Sequence, residues 1–323
     1  TSGAIAAGLQ QLNIEGRPQK MAQLQAAAAV GQVELMRIYR NLMAKEGIKV
    51  GQILLTHEDT TGRQQYLNIR GTINTLLEMG IVPVINENDS VAVDEIKFGD
   101  NDQLAALAAS LTEAELLILL SDIEGLYDKN PNQDREAKVI STVQEITGDI
   151  ERLAGGAGSI YGLGGMASKI KAARICSFSN IAMVIANSRR PGVLEDIISG
   201  KEVGTLFVPQ KHKRVKSVKR WIAFGMRTKG SIVIDKGARE AIVNQGKSLL
   251  PVGVVEVRGK FNEGDTLKIF DTEGQLIAKG ISNFSHQQVR DVLGKNHAQI
   301  EAEYGSELCS EIVHRDCLVV FKS

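Results

Sequence analysis

The sequence predicts an α/β fold, with a mainly parallel sheet covered by helices on both sides, followed by a small, mainly β domain. Three observations carry this. Up to residue 207, short apolar runs alternate with longer segments of helical spacing. The runs lack in/out alternation, which marks strands buried on both faces. After Phe207 the pattern changes to short strands punctuated by glycine turns. A chain of 323 residues is long enough for two domains.

The predicted strands are Val50–Thr56, Ile81–Asn86, Leu116–Ser121 and Ile181–Ala186. The helical segments lie over Gln23–Lys45, Arg63–Glu78, Asp102–Leu111 and Met166–Cys176. Gly47 and Gly80 stand just past two of these helices, where a left-handed residue closes the last turn. Strand–helix alternation of this kind builds one parallel sheet, whose ligands bind at the carboxyl ends of the strands. The loops after Ile85, Leu120 and Ala186 are therefore where chemistry is expected. Thr1-Ser2-Gly3-Ala4 reads as a strand end entering a glycine turn and a helix, so a preceding βα unit is expected to be absent.

Residues 211–229 carry Lys211, Lys213, Arg214, Lys216, Lys219, Arg220, Arg227 and Lys229 and no acidic residue. Beyond them, strands are predicted over Ser231–Asp235, Gly253–Val257, Asp265–Phe270 and Leu276–Ile281. The turns Asn262-Glu263-Gly264-Asp265 and Thr272-Glu273-Gly274 separate the later ones. The division expected is a first domain over 1–208, a basic linker over 209–229 and a β domain over 230–323.

Bulk properties exclude several classes. Lysine plus arginine equals aspartate plus glutamate, 38 each, so overall charge gives no sign of a nucleic-acid or membrane partner. Cys176, Cys309 and Cys317 are odd in number and form no C-x-x-C spacing, which argues against a disulfide framework or zinc ribbon and for a cytoplasmic setting. No apolar stretch approaches a membrane span, and the first ten residues carry no secretory pattern.

Four clusters could carry chemistry. Gly155–Gly165 holds six glycines in eleven residues and leads into Met166-Ala167-Ser168-Lys169 and a helix. Glycines let backbone approach an anion, a helix start offers free N–H groups, and Lys169 adds a charge. The spacing is not that of a P-loop, and a plain flexible loop is the simpler account. Asn86-Glu87-Asn88-Asp89 follows a buried strand and suits an amino-acid ligand, though Asx-rich turns are common. Gly99-Asp100-Asn101-Asp102 opens a helix with more Asx residues than one N-cap requires. Ser121-Asp122 ends a strand, where Asp122 would orient a nucleotide or lysine, or cap a turn.

These residues together resemble a known family. Thr1–Gly8, Pro83-Val84-Ile85-Asn86-Glu87-Asn88-Asp89, Gly99–Asp102, Asp122–Pro131, Gly164-Gly165-Met166…Lys169 and Pro191-Gly192-Val193 are similar to the glutamate 5-kinases, a group within the amino-acid kinase family. Arg220-Trp221-Ile222, Gly246–Pro251 and Gly259…Phe261…Gly264 are similar to the PUA domain that bacterial members carry. The resemblance implies an open α/β/α sandwich followed by a PUA domain, and ATP-dependent phosphorylation of the side-chain carboxylate of L-glutamate in proline biosynthesis. It implies Mg²⁺ with ATP, and as partners L-glutamate, ATP, further copies of the chain in a homo-oligomer, and RNA at the PUA domain, with no membrane. Ser2, Asp89 and Asn101 match glutamate-contacting positions. Ser121, Asp122, Leu163, Gly164, Gly165, Met166, Ala167, Ser168 and Lys169 match the ATP site. Lys169 is set to neutralise the moving phosphoryl group, and Asp102 to hold the active-site lysines.

Two departures stand out. Family members open with a strand bearing a phosphate-reaching lysine and glycine, and this sequence begins beyond them; the expected loss is about 30 residues or more, and the chain alone is expected to be inactive. Leu163 stands where the family usually has a small polar residue. Two other readings compete: a kinase of another small carboxylate, and an RNA-binding or regulatory protein with a vestigial kinase half.

Overall fold

The structure, a computed structural model, describes the chain apart from residues 57–58, 60–62, 92–100, 132, 155–164, 210–218, 220, 227, 296–298, 301–310 and 322–323. It divides into two compact units, Thr1–Arg214 and Val215–Ser323.

The first unit opens with two helices, α1 (Ala4–Gln11) and α2 (Met21–Ala44). They cross through two glycines. A Cβ at Gly8 would overlap the carbonyl oxygen of Ala27, and one at Gly31 would overlap that of Ala4. Only glycine lets the backbones approach so closely. Gly31→Val should therefore cost about 3 kcal/mol, the upper end of what overpacking a close contact usually costs. Urea unfolding measures it; a stability within about 0.5 kcal/mol of the parent would show that the helices part freely.

The strand β1 (Lys49–Leu55), helix α3 (Arg63–Glu78) and strand β2 (Ile81–Glu87) follow, within a residue or so of expectation. β1 and β2 pair in parallel, Ile53 opposite Ile85. Gly47 and Gly80 both take left-handed backbone, φ 69° each, closing α2 and α3. Next come α4 (Asn101–Leu111), β3 (Leu116–Ser121), β4 (Thr142–Val143), α5 (Gly148–Leu153) and α6 (Gly165–Phe178). The unit ends with β5 (Ala182–Asn187), α7 (Val193–Ile198) and β6 (Thr205–Phe207). β3 pairs with β5 in parallel, so Ser121 and Asn187 finish side by side.

One expectation needs correcting. Among the described residues the strands form two ladders, β1-β2 and β3-β5-β6-β4, where the sequence suggested one sheet. Buried apolar runs identify strands, but which strand pairs with which depends on backbone hydrogen bonds that periodicity does not encode. β6 also runs antiparallel to β5. Helix α4 packs against both β2 and β3 and also against α6. This helix therefore links the two ladders.

The second unit is a five-stranded sheet in the order β11-β10-β9-β7-β8. Its strands are β7 (Thr228–Ile234), β8 (Val254–Gly259), β9 (Thr266–Asp271), β10 (Leu276–Ile281) and β11 (Leu318–Val320). Two short helices, α8 (Lys236–Val243) and α9 (His286–Asp291), pack on a core that includes Ile232, Ile269, Phe284 and Ile312. Asp235 caps α8 by accepting from the Ala238 N–H at 2.7 Å. A π-helical turn, Trp221–Gly225, lies against β10 and β11, within the span expected to be linker. Lys279 Nζ donates to the Ala223 and Met226 carbonyls at 3.2 and 2.5 Å, and burial with nearby Lys268 brings its pKa down to about 8.

Candidate active site

The site is organised by the first turn of α4, where two consecutive residues serve different networks. Asn101 Nδ2 donates to Asn86 Oδ1 at 3.2 Å, reaching back to β2. Asp102 Oδ2 accepts from Lys169 Nζ and from Ser168 Oγ, each at 3.0 Å, reaching across to α6. Such convergence follows from helix geometry, since neighbouring residues project about 100° apart.

The Asp102–Lys169 pair is largely withdrawn from water, with side chains 22% and 11% exposed. Lys169 Nζ also lies 3.5 Å from the Gly165 carbonyl, one turn earlier in its own helix. Most of the residues from Ser168 to Cys176 are buried, so α6 is a core element that holds its lysine firmly. A cation fixed beside a helix N-terminus is suited to neutralise an anion in transfer.

The Asn86 side chain is almost completely buried, and its Nδ2 donates to Gln32 Oε1 on α2 at 2.9 Å. Two polar atoms of this network have no partner: Asn101 Oδ1 and Gln32 Nε2. Beside it lies a cavity of about 250 Å³, whose lining includes Ala4, Gln32, Gln52, Glu87 and Asp89. Burial pushes the Asp89 carboxyl above the usual carboxylate range. An acid in that state favours a cationic partner.

Ser2 lies between Thr1, whose amino group donates to the Ile85 carbonyl at 2.8 Å, and Ala4 on the cavity wall. Asp89 follows β2 by two residues, and Asn101 meets β2 at Asn86. Ser121 Oγ donates to Asp122 Oδ1 at 3.2 Å at the end of β3. The adjoining end of β5 is tied to it, the Ser188 N–H donating to the Ser121 carbonyl at 2.8 Å. Gly165, Met166, Ala167 and Ser168 form the first turn of α6. Leu163 and Gly164, with most of the glycine run, lie outside the described residues.

The sequence reading missed Gln32. Its signal was a polar residue on the buried stripe Leu24, Ala27, Ala28, Gly31 of an otherwise small and apolar helix face. Cys176 is buried, and burial drives its thiol up to about 12, which disfavours the thiolate.

The folded unit places a partly buried Asp102–Lys169 pair at a helix start and a polar cavity at a strand end, and its family match makes it a small-molecule kinase. The chain belongs to the amino acid kinase family, which matches residues 1–187; the PUA domain matches residues 230–304. It is 48% identical over 322 residues to a glutamate 5-kinase of Syntrophotalea carbinolica, covering 100% of this chain and 86% of that protein. A glutamate 5-kinase of Geobacter sulfurreducens is 47% identical over 320 residues, covering 99% of this chain and 86% of its own. One from Syntrophus aciditrophicus is 49% identical over 322 residues, at 100% and 83%.

Proposed function

We propose that this chain transfers the γ-phosphoryl group of ATP to the side-chain carboxylate of L-glutamate, giving L-glutamyl 5-phosphate and ADP in the first step of proline biosynthesis. The observation that carries the reading is the start of α4, where Asn101 joins the amide cavity and Asp102 joins the Lys169 ammonium. An amino-acid site and a phosphoryl-neutralising site are thereby one residue apart. Identities of 47–48% over essentially the whole of this chain and 86% of the length of two glutamate 5-kinases support the same assignment.

In this reading Ser2, Asp89 and Asn101 hold glutamate, while Ser121, Asp122 and residues 163–169 hold ATP. A glutamate side chain, with a pKa of about 4.3, is ionised at neutral pH and needs no general base. One carboxylate oxygen attacks the γ-phosphorus in line. A new O–P bond forms, the bond to the β,γ-bridging oxygen breaks, and its electron pair leaves with ADP. The obstacle is two anions approaching each other, and Lys169, oriented by Asp102, offsets that repulsion. Mg²⁺ held with the nucleotide would supply further neutralisation of the phosphate charge. The PUA match supports RNA contact by the second unit.

The test is ADP release by the full-length enzyme, with hydroxylamine present to trap an acyl phosphate. Glutamate-dependent ADP release with an equal amount of hydroxamate is expected. Equal kcat/KM on L-aspartate or on N-acetylglutamate, or ADP release without hydroxamate, would overturn the assignment.

A further inference from the structure

Gln32 is 8% exposed, yet half of its carboxamide is unspent. Its Oε1 accepts from Asn86 Nδ2 at 2.9 Å, and Asn86 Oδ1 accepts from Asn101 Nδ2 at 3.2 Å. The three amides form a one-way chain, each donating to the next, from Asn101 through Asn86 to Gln32. Gln32 Nε2 is left as a buried donor without a partner, in a residue that lines the 250 Å³ cavity. A buried donor left unpaired is unfavourable, so it calls for a ligand acceptor.

The cavity tells what kind of acceptor. Among the described residues Glu87 and Asp89 line it, and no lysine or arginine does. Acidic walls welcome an ammonium and repel a carboxylate. An α-amino acid brings both groups on one carbon, so its carboxylate must be met by neutral donors. We infer that Gln32 is a substrate-positioning residue whose Nε2 donates to the α-carboxylate of the amino-acid substrate, opposite the ammonium held by Asp89. This rests on the glutamate reading above. It also gives the amide chain a purpose: the α-end of the substrate is read by Gln32 and relayed through Asn86 to Asn101, which adjoins the Asp102–Lys169 pair.

The experiment compares Gln32→Glu and Gln32→Met with the parent enzyme. Gln32→Glu keeps an oxygen for Asn86 Nδ2 but puts an anion where the donor was. Gln32→Met keeps the length and removes the donor. The glutamate KM is expected to rise about tenfold in Gln32→Met and more in Gln32→Glu, with kcat and the KM for ATP within about threefold. A second measurement uses 4-aminobutyrate, which is glutamate without its α-carboxylate, as a competitive inhibitor. Its KI should be unchanged or lower in Gln32→Glu. A glutamate KM within about threefold of the parent in Gln32→Glu would overturn the inference. So would a 4-aminobutyrate KI rising by the same factor as the glutamate KM, since Gln32 would then act on cavity shape through Asn86. A parent enzyme without glutamate-dependent hydroxamate would instead overturn the functional reading, which keeps the two failures apart.

Discussion

Lys169→Met is expected to lower kcat by about a hundredfold or more while the KM for ATP stays within about threefold. Methionine keeps most of the side-chain length in a buried helix and removes only the charge. That charge acts where negative charge gathers during transfer, so its loss falls on the transition state and not on the bound nucleotide. One complication is physical: Asp102 would lose its ammonium partner and, among the described residues, keep the Ser168 hydroxyl. Removing one member of a partly buried ion pair destabilises the protein by leaving the other charge uncompensated. The double variant Lys169→Met with Asp102→Asn removes that charge and should recover melting temperature without recovering kcat. A kcat within about threefold of the parent in the single variant would remove Lys169 from the chemistry.

Asp89→Asn should raise the glutamate KM by about 10- to 150-fold, the equivalent of losing one charge-assisted contact worth roughly 1.5–3 kcal/mol. Unlike most site variants, it should not lower stability. Burial raises the Asp89 pKa in the folded protein. A raised folded-state pKa gives a stability contribution that is present when the group is protonated and lost as pH rises through the raised value. At neutral pH the ionised Asp89 therefore burdens the free enzyme, and asparagine relieves it. The same logic predicts a pH dependence. The parent's glutamate KM climbs as pH falls through the Asp89 pKa, which lies above the ordinary 3.8, whereas the variant lacks that component. Steady-state kinetics across pH, with melting curves at neutral pH, measure both. An unchanged KM, or a lowered melting temperature with unchanged KM, would show Asp89 to be structural.

What the sequence by itself determined is local. Leu116–Ser121 is a strand, as its run of five apolar residues predicts, although only Leu119 in it is buried. Leu116 and Leu120 are exposed, so the expected burial on both faces is not met. Arg63–Glu78 is a helix because its apolar residues recur at helical spacing. The left-handed turns at Gly47 and Gly80 follow from the same short-range rules. Membership of the amino acid kinase family was legible because its motifs are contiguous strings, such as Asn86-Glu87-Asn88-Asp89. Tertiary structure decided what joins distant residues. Asp102 and Lys169 are 67 positions apart, and Asn86 and Gln32 are 54 apart, with no periodicity linking either pair. The division of the strands into two ladders was hidden for the same reason, since pairing is a choice among strands that look alike. Gln32 is the sharpest case. In the sequence it is one polar residue in an alanine-rich helix, and only the close crossing at Gly8 and Gly31, with Asn86 brought up beneath, makes its free N–H a feature of the site.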